Sequence, residues 1–109
     1  MLFRLRADAA AKSWLQAHAL TEPLVIAYEV HLCCGGGKIC QVKVRPMSRD
    51  DEPAAFASGV TDVGGRVLID KRAASRLPAR FGLTVRGLGP LKHLDLALEA
   101  EDWGELLYT

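Results

Sequence analysis

Two β-rich segments separated by a run of glycines constrain the fold of this chain more than any other feature. Residues 24–32 are rich in valine, isoleucine and tyrosine, and residues 39–45 alternate apolar with polar side chains, so both segments predict strands. The glycine run at 35–37 predicts a tight connection, because glycine adopts backbone conformations that other residues avoid. We therefore expect an antiparallel hairpin that carries all three cysteines of the chain near its connection: Cys33, Cys34 and Cys40.

The register of this hairpin can be predicted from the side chains that must be buried, because a shift of one residue moves every side chain to the other face. The first strand has an apolar set that ends at Leu32, and the second has Val42 and Val44. A shared apolar face predicts Leu32 opposite Val42, and therefore Cys34 opposite Cys40. Opposed Cβ atoms lie about 4.5–5.5 Å apart, close enough for two thiolates to share a metal or, after adjustment, to form a disulfide.

Three consecutive glycines follow the cysteine pair: Gly35, Gly36 and Gly37. They allow the backbone to approach a cluster or an anion closely, and their N–H groups are candidate donors to sulfur. We expect at least one of the last two glycines to have a positive φ. The loop should also leave Cys33 and Cys34 accessible. For Cys40 a purely structural role stays open, since cysteine is among the most buried residue types.

Length and composition fit one globular domain over residues 1–109, since 109 residues with 50% hydrophobic content supply a single core. The pattern predicts an α+β fold in the order αβββαβ, with a mixed sheet and packed helices. Asp70 is predicted to cap the second helix, and Asp50, Asp51 and Glu52 to form a solvated charge run. The predicted elements beyond the hairpin are a helix at 7–19, a loop at 46–53, a strand at 66–69, a helix at 71–77, a short strand at 83–85 and a last strand around Leu94, Leu96 and Leu98.

The charge balance and the cysteine count bound the location and the partners. A formal net charge of +1 gives no general attraction to nucleic acid or to an anionic membrane, so neither is expected as a partner. No segment approaches the roughly 20 apolar residues that a membrane helix needs, and charges at Arg4, Arg6 and Asp8 interrupt any signal sequence. Three cysteines, two of them adjacent, are a poor basis for a disulfide framework. We expect a cytoplasmic protein with mostly reduced thiols.

Two separated segments carry a resemblance to a known family. One strand enters Cys33-Cys34-Gly35, and after a returning strand comes the segment Gly-Arg-Val-Leu-Ile-Asp-Lys at 65–71. With this pattern the whole chain resembles the HesB-like family of A-type iron–sulfur carriers. Cys33 matches the cysteine of the family's Cys-x-Gly loop, and Cys34 stands at the variable position. The adjacent pair is similar to a HesB-like branch marked by Cys-Cys or Cys-selenocysteine.

The resemblance implies an iron or iron–sulfur cluster carrier or assembly protein rather than an enzyme. Cys33, Cys34 and Cys40 would be the thiolate ligands, with the glycines at 35–37 around the cargo. The family also has a C-terminal Cys-x-Cys, whereas residues 103–109 contain no cysteine. Three ligands per chain favour completion across a homodimer, and the other partners would be proteins that donate or receive clusters.

Other uses of the same residues stay open. A thiol-redox or selenium-related protein would couple Cys34 with Cys40, with the cation Lys38 nearby to favour a thiolate. Zinc is an alternative metal, since His31 and the three cysteines would complete four ligands, although a strand histidine is more often simply half-exposed. A degenerate structural or interaction module is the third interpretation, because the tail cysteines are missing. The sequence contains no recognisable hydrolase motif.

Overall fold

The computed structural model describes residues 2–18, 23–32 and 38–108. In this part of the chain, seven strands and three α-helices are joined by turns that include two short 3-10 segments, Pro53–Ala55 and Gly89–Leu91. The regular elements are β1 (Phe3–Ala7), α1 (Ala9–His18), β2 (Leu24–Leu32), β3 (Lys38–Pro46), β4 (Phe56–Thr61), β5 (Arg66–Asp70), α2 (Lys71–Ala74), β6 (Arg80–Arg86), β7 (His93–Ala97) and α3 (Ala100–Tyr108).

All seven strands belong to one mixed sheet in the order β3-β2-β5-β4-β1-β6-β7. The pairs β2–β3, β4–β5 and β6–β7 are antiparallel, whereas β1 pairs in parallel with both β4 and β6, and β2 pairs in parallel with β5. The edge strands β3 and β7 approach each other with Cα atoms within 8 Å, so the sheet curls until it nearly closes. The predicted mixed sheet with packed helices is confirmed.

The first strand was not predicted. In β1, Phe3, Leu5 and Ala7 are buried and the two arginines between them are exposed, which is the period-2 alternation of a half-buried strand. The predicted helix therefore begins later, at Ala9. Asp8 stands between the two elements and its carboxylate accepts the N–H of Ala11 at 2.8 Å, which satisfies one of the donors at the start of α1.

The main core lies on the concave side of the curled sheet and is built from alternate residues of the strands. Helix α3 closes it with Leu106, which is fully buried, and with the partly buried side chains of Trp103 and Leu107. The C-terminal segment therefore packs against the core. On the convex side a smaller cluster of Val25, Ala27 and Leu68 is covered by Met47 and Phe56. The buried residues of the main core are Phe3, Leu5, Ala7, Ala11, Leu24, Ile26, Tyr28, Val67, Ile69, Ala73, Leu77, Phe81, Leu83, Leu94, Leu96 and Leu106.

The short helix α2 begins as predicted. The Asp70 carboxylate accepts the backbone N–H of Arg72 at 2.9 Å, so Asp70 is the N-cap that ends β5 and starts the helix. In the described parts of the chain, no helix has the length and apolar character needed to cross a membrane.

Candidate functional site: the cysteine hairpin

The predicted hairpin is formed by β2 and β3, which pair over nine residues from Leu24 opposite Pro46 to Leu32 opposite Lys38. The residues between the strands, 33–37, lie outside the described residues. The predicted ligands Cys33 and Cys34, and the predicted positive φ at one of the last two glycines of that segment, therefore stay predictions. Cys40 is described by its backbone, as the third residue of β3.

The predicted register is wrong. Cys40 stands opposite Val30 instead of Cys34, and Leu32 stands opposite Lys38 instead of Val42. The observed register differs from the predicted one by an even number of residues. Only a shift by an odd number of residues moves the side chains of a strand to its other face, so both registers bury the same apolar side chains. Matching apolar faces could not distinguish the two registers.

The hairpin continues beyond its pairing with β5. β5 pairs with β2 only at residues 24–26, whereas β2 runs on for six more residues to Leu32. At about 3.3 Å per residue this extension is about 20 Å long. Residues 29–32 and 38–41, here called the ribbon, pair with each other and have no other strand partner in the described chain. The ribbon leads directly into the cysteine-containing connection.

The base of the ribbon is held at Tyr28. The Tyr28 side chain is 5% exposed, and the guanidinium groups of Arg72 and Arg76 lie 5.4 Å and 5.6 Å from its ring centroid. Arg76 donates to the Tyr28 hydroxyl at 2.8 Å and to the carbonyl of Leu106 at 3.4 Å. One tyrosine thus joins the hairpin to the segment after β5 and to α3. Such contacts restrain the start of the ribbon.

Arg72 extends this restraint to the backbone. Its Nη2 atom donates to the carbonyl of Tyr28 at 2.7 Å, at the point where β2 has lost its pairing with β5. The same nitrogen lies 2.9 Å from the Asp70 carboxylate. Burial alone would raise the pKa of Asp70, but the hydrogen bonds from the Arg72 side chain and backbone outweigh it and the pKa is lowered. Asp70 therefore stays ionised and fixes Arg72 against the hairpin.

The opposite end of the hairpin carries an ion pair that overturns part of the predicted charge run. Arg45 donates to both carboxylate oxygens of Asp51, at 2.7 Å and 2.8 Å, and the backbone N–H of Ser48 donates to the same group at 2.8 Å. The hydrogen bond from Arg45 is the main reason why the pKa of Asp51 lies well below its usual range. Asp51 is thus a structural residue, whereas Asp50 and Glu52 are exposed as predicted.

His18 and His93 do not form a metal site with other described side chains. His18 stacks on Trp14 with ring centroids 3.7 Å apart, and its Nδ1 lies 2.8 Å from the Trp14 carbonyl oxygen. The Nδ1 of His93 lies 2.9 Å from the Leu91 carbonyl oxygen. His31 is in β2 opposite Ile39, and its side chain lies outside the described residues. Among side chains that the structure describes, no three histidine, cysteine or acidic groups come together as a metal site.

Sequence reasoning missed the restraint around Tyr28, although Tyr28 was recognised as a strand residue. Arg72 and Arg76 belong to no recognised motif, and they converge on the Tyr28 ring because β2 pairs with β5.

Comparison with other proteins adds no assignment to these residues. Neither a scan of protein-family models nor a search of curated proteins finds a match to this chain.

Proposed function

We propose that this protein binds and hands on iron or an iron–sulfur cluster, as a carrier or assembly factor of the HesB-like kind. The thiolates of Cys33, Cys34 and Cys40 are the proposed ligands. What supports the proposal is the position of the cysteines in the sequence of the hairpin, since Cys33 and Cys34 directly follow β2 and Cys40 belongs to β3. Leu32 and Lys38 are register partners, Cys33 follows the first directly, and Cys40 lies two positions after the second.

The chemistry of this donor set suits iron and iron–sulfur cargo. Thiolate sulfur is a soft ligand and is the usual protein ligand of iron–sulfur clusters. The ribbon extends past the residues at which β2 pairs with the neighbouring strand β5. The contacts of Tyr28 with Arg72 and Arg76 hold the base of the ribbon in place. We propose that a second protein contacts the cysteine-containing connection beyond this restrained base when cargo is transferred.

Three thiolates leave a four-coordinate site one ligand short, and we propose that a second copy of the chain completes it. The C-terminal segment of the same chain has another role, because α3 places Leu106 in the main core. Its sequence also contains no cysteine. A cluster shared between two protomers exchanges more readily than one enclosed by four thiolates of one chain.

The observed register weakens the case for a thiol-redox couple. That interpretation relied on Cys34 directly opposite Cys40, and the structure has Val30 at that position. Cargo binding does not need directly opposed residues, since three thiolates around one cluster approach it from different directions. We therefore keep the carrier as the proposed function.

The test is anaerobic reconstitution of the purified chain with ferrous iron and sulfide, followed by visible absorption and by iron and sulfide analysis. The wild-type protein should show cluster absorption bands, with iron and sulfide bound and a dimer formed on loading. Cys33→Ser and Cys34→Ser should each lose most of the bound metal, because serine is a much poorer ligand for these centres.

Ser58→Ala is the matched control, because Ser58 is exposed on β4, away from the hairpin. It should load as the wild type does. Equal loading of the wild type and of all three cysteine variants, Cys40→Ser included, would contradict the proposal. Zinc recovered from the wild type in place of iron, with reconstitution failing, would also contradict it.

A further inference from the structure

Four exposed arginines come together on the convex face of the sheet, and three of them line a second candidate site. Arg4 and Arg6 occupy the outward positions of β1. Arg80 of β6 stands directly opposite Arg4. On the other side Arg4 stands opposite Val60, and Val60 stands opposite Arg66. One row across four neighbouring strands therefore contains three arginines, with the fourth two residues further along β1.

These arginines have no acidic partner in the described chain. No described carboxylate oxygen lies within 4.0 Å of their nitrogens. The two acidic residues that line the same groove have other partners, since Asp62 lies 3.7 Å from Lys12 and Asp8 caps α1. Like charges directly opposite one another destabilise a sheet, so the pairing of Arg4 with Arg80 carries a cost that no described partner offsets.

A groove lies between the arginines on this outer face of the sheet. Arg4, Arg6 and Arg80 line a groove of about 760 Å³ over β4, β1 and β6, here called the arginine groove. Gly82 and Ala97 also line the groove, and a Cβ atom added at Gly82 would lie 3.0 Å from the Ala97 Cβ, so this part of the lining suits glycine. The volume falls within the range of about 300–1,000 Å³ that is typical of small-molecule sites.

We propose that the arginine groove binds a small polyvalent oxyanion, a compound with two or more phosphate or carboxylate groups. Guanidinium groups bind such oxygens through pairs of parallel hydrogen bonds. Arg4 and Arg80 sit on adjacent strands, about 4.8 Å apart in the backbone, so they can grip one ligand from two sides. This proposal is independent of the cysteines.

The rest of the groove favours a small ligand over a nucleic acid. Asp8 and Asp62 line the same groove, where they would repel a long polyanion that ran through it. The one aromatic residue of the lining, Phe81, is 7% exposed and belongs to the core, so it offers no stacking surface for bases. The anionic groups of the ligand would therefore contact the three arginines.

The test is isothermal titration calorimetry of the full reduced chain with sodium pyrophosphate and, separately, with sodium citrate, at an ionic strength fixed with sodium chloride. Saturable binding of at least one probe is expected, and the two arms distinguish phosphate from carboxylate recognition. Arg4→Gln and Arg80→Gln should each weaken binding about tenfold. Arg66→Gln is the matched control, since Arg66 shares the same face and row but does not line the groove. It should change affinity less than about twofold.

Thermal unfolding of the ligand-free variants separates lost binding from lost folding. Arg4→Gln and Arg80→Gln should unfold at or above the wild-type temperature, because each relieves repulsion between opposed arginines. If one of them fails to fold, Arg6→Gln replaces it, since Arg6 also lines the groove. The absence of saturable binding to both probes would overturn the proposal. An equal loss of affinity in Arg66→Gln would overturn it in favour of a diffuse basic face. Tighter binding of a single-stranded oligonucleotide than of either small anion would have the same consequence.

Discussion

Replacing Asp51 by asparagine keeps the shape of the side chain and removes its charge. In the wild type, the carboxylate is 8% exposed and accepts two hydrogen bonds from Arg45 and one from the Ser48 backbone. A hydrogen bond to a charged group contributes about 1.5–3 kcal/mol to stability. Because the Arg45 side chain is 37% exposed, solvent screening reduces that contribution. We expect Asp51→Asn to lower the free energy of unfolding by about 1–2 kcal/mol at neutral pH.

The direction in which pH changes this difference in stability can also be predicted. The hydrogen bond from Arg45 lowers the pKa of Asp51 in the folded state below the value of about 3.9 that an unfolded aspartate has. A depressed folded pKa means that the ionised carboxylate stabilises the protein fully above the unfolded pKa. That stabilisation is lost as the pH falls from the pKa of Asp51 in the unfolded state towards its lower pKa in the folded state. The stability gap between wild type and Asp51→Asn should therefore be constant above about pH 5 and shrink below about pH 4.

Urea denaturation in reducing buffer at neutral and acidic pH measures this gap. The control is Asp50→Asn, because the neighbouring Asp50 is exposed and its carboxylate accepts no hydrogen bond from a described residue. We expect that control to stay within about 0.5 kcal/mol of the wild type. Equal stabilities of the two variants at neutral pH, or a gap that widens on acidification, would refute the role assigned to the ion pair with Arg45.

Two glycine substitutions should change stability in opposite directions when measured by the same denaturation assay. Gly87 has a φ of +92°, and an added Cβ would lie 2.9 Å from the carbonyl carbon of Leu91 and closer still to its oxygen. Gly87→Ala should therefore destabilise the protein by at least about 2 kcal/mol, and a neutral result would contradict this turn geometry. Gly104 lies within α3, and an added Cβ would meet nothing within 4 Å. Gly104→Ala should stabilise by about 0.5–1 kcal/mol, and a loss would argue against the helix at this position.

The elements that sequence reasoning predicted well carry strong local signals. Residues 24–32 form β2 with the predicted bounds, and Asp70 caps α2 because a short acidic side chain after a strand suits a helix N-terminus. β1 has an equally clear alternation, but its arginines were considered only as interruptions of a signal sequence. β4 was missed because Ser58 and Gly59 interrupt its apolar pattern, and both residues have low strand propensity.

The remaining differences arise from contacts between distant residues. Face matching cannot fix the hairpin register, because two registers that differ by an even shift bury the same side chains. Asp51 looked like its charged neighbours until the bend after β3 brought Arg45 to it. The arginine row likewise joins residues that are far apart in sequence, such as Arg4 and Arg80. The roles of Cys33 and Cys34 remain as the sequence predicts them, because both lie outside the described residues.

The position of β1 in the sheet has a consequence for folding during synthesis. β1 is made first of the seven strands, yet it lies between β4 and β6 and pairs with both. Its partner Arg80 is translated 76 residues after Arg4, which at roughly 5–20 residues per second is about 4–15 s later. Within that interval β4 is translated before β6, so β1 gains a strand partner on one side while its other side still has none. Pulsed hydrogen exchange during refolding should show the β2–β3 hairpin protected early and β1 late, because the hairpin pairs residues close in sequence.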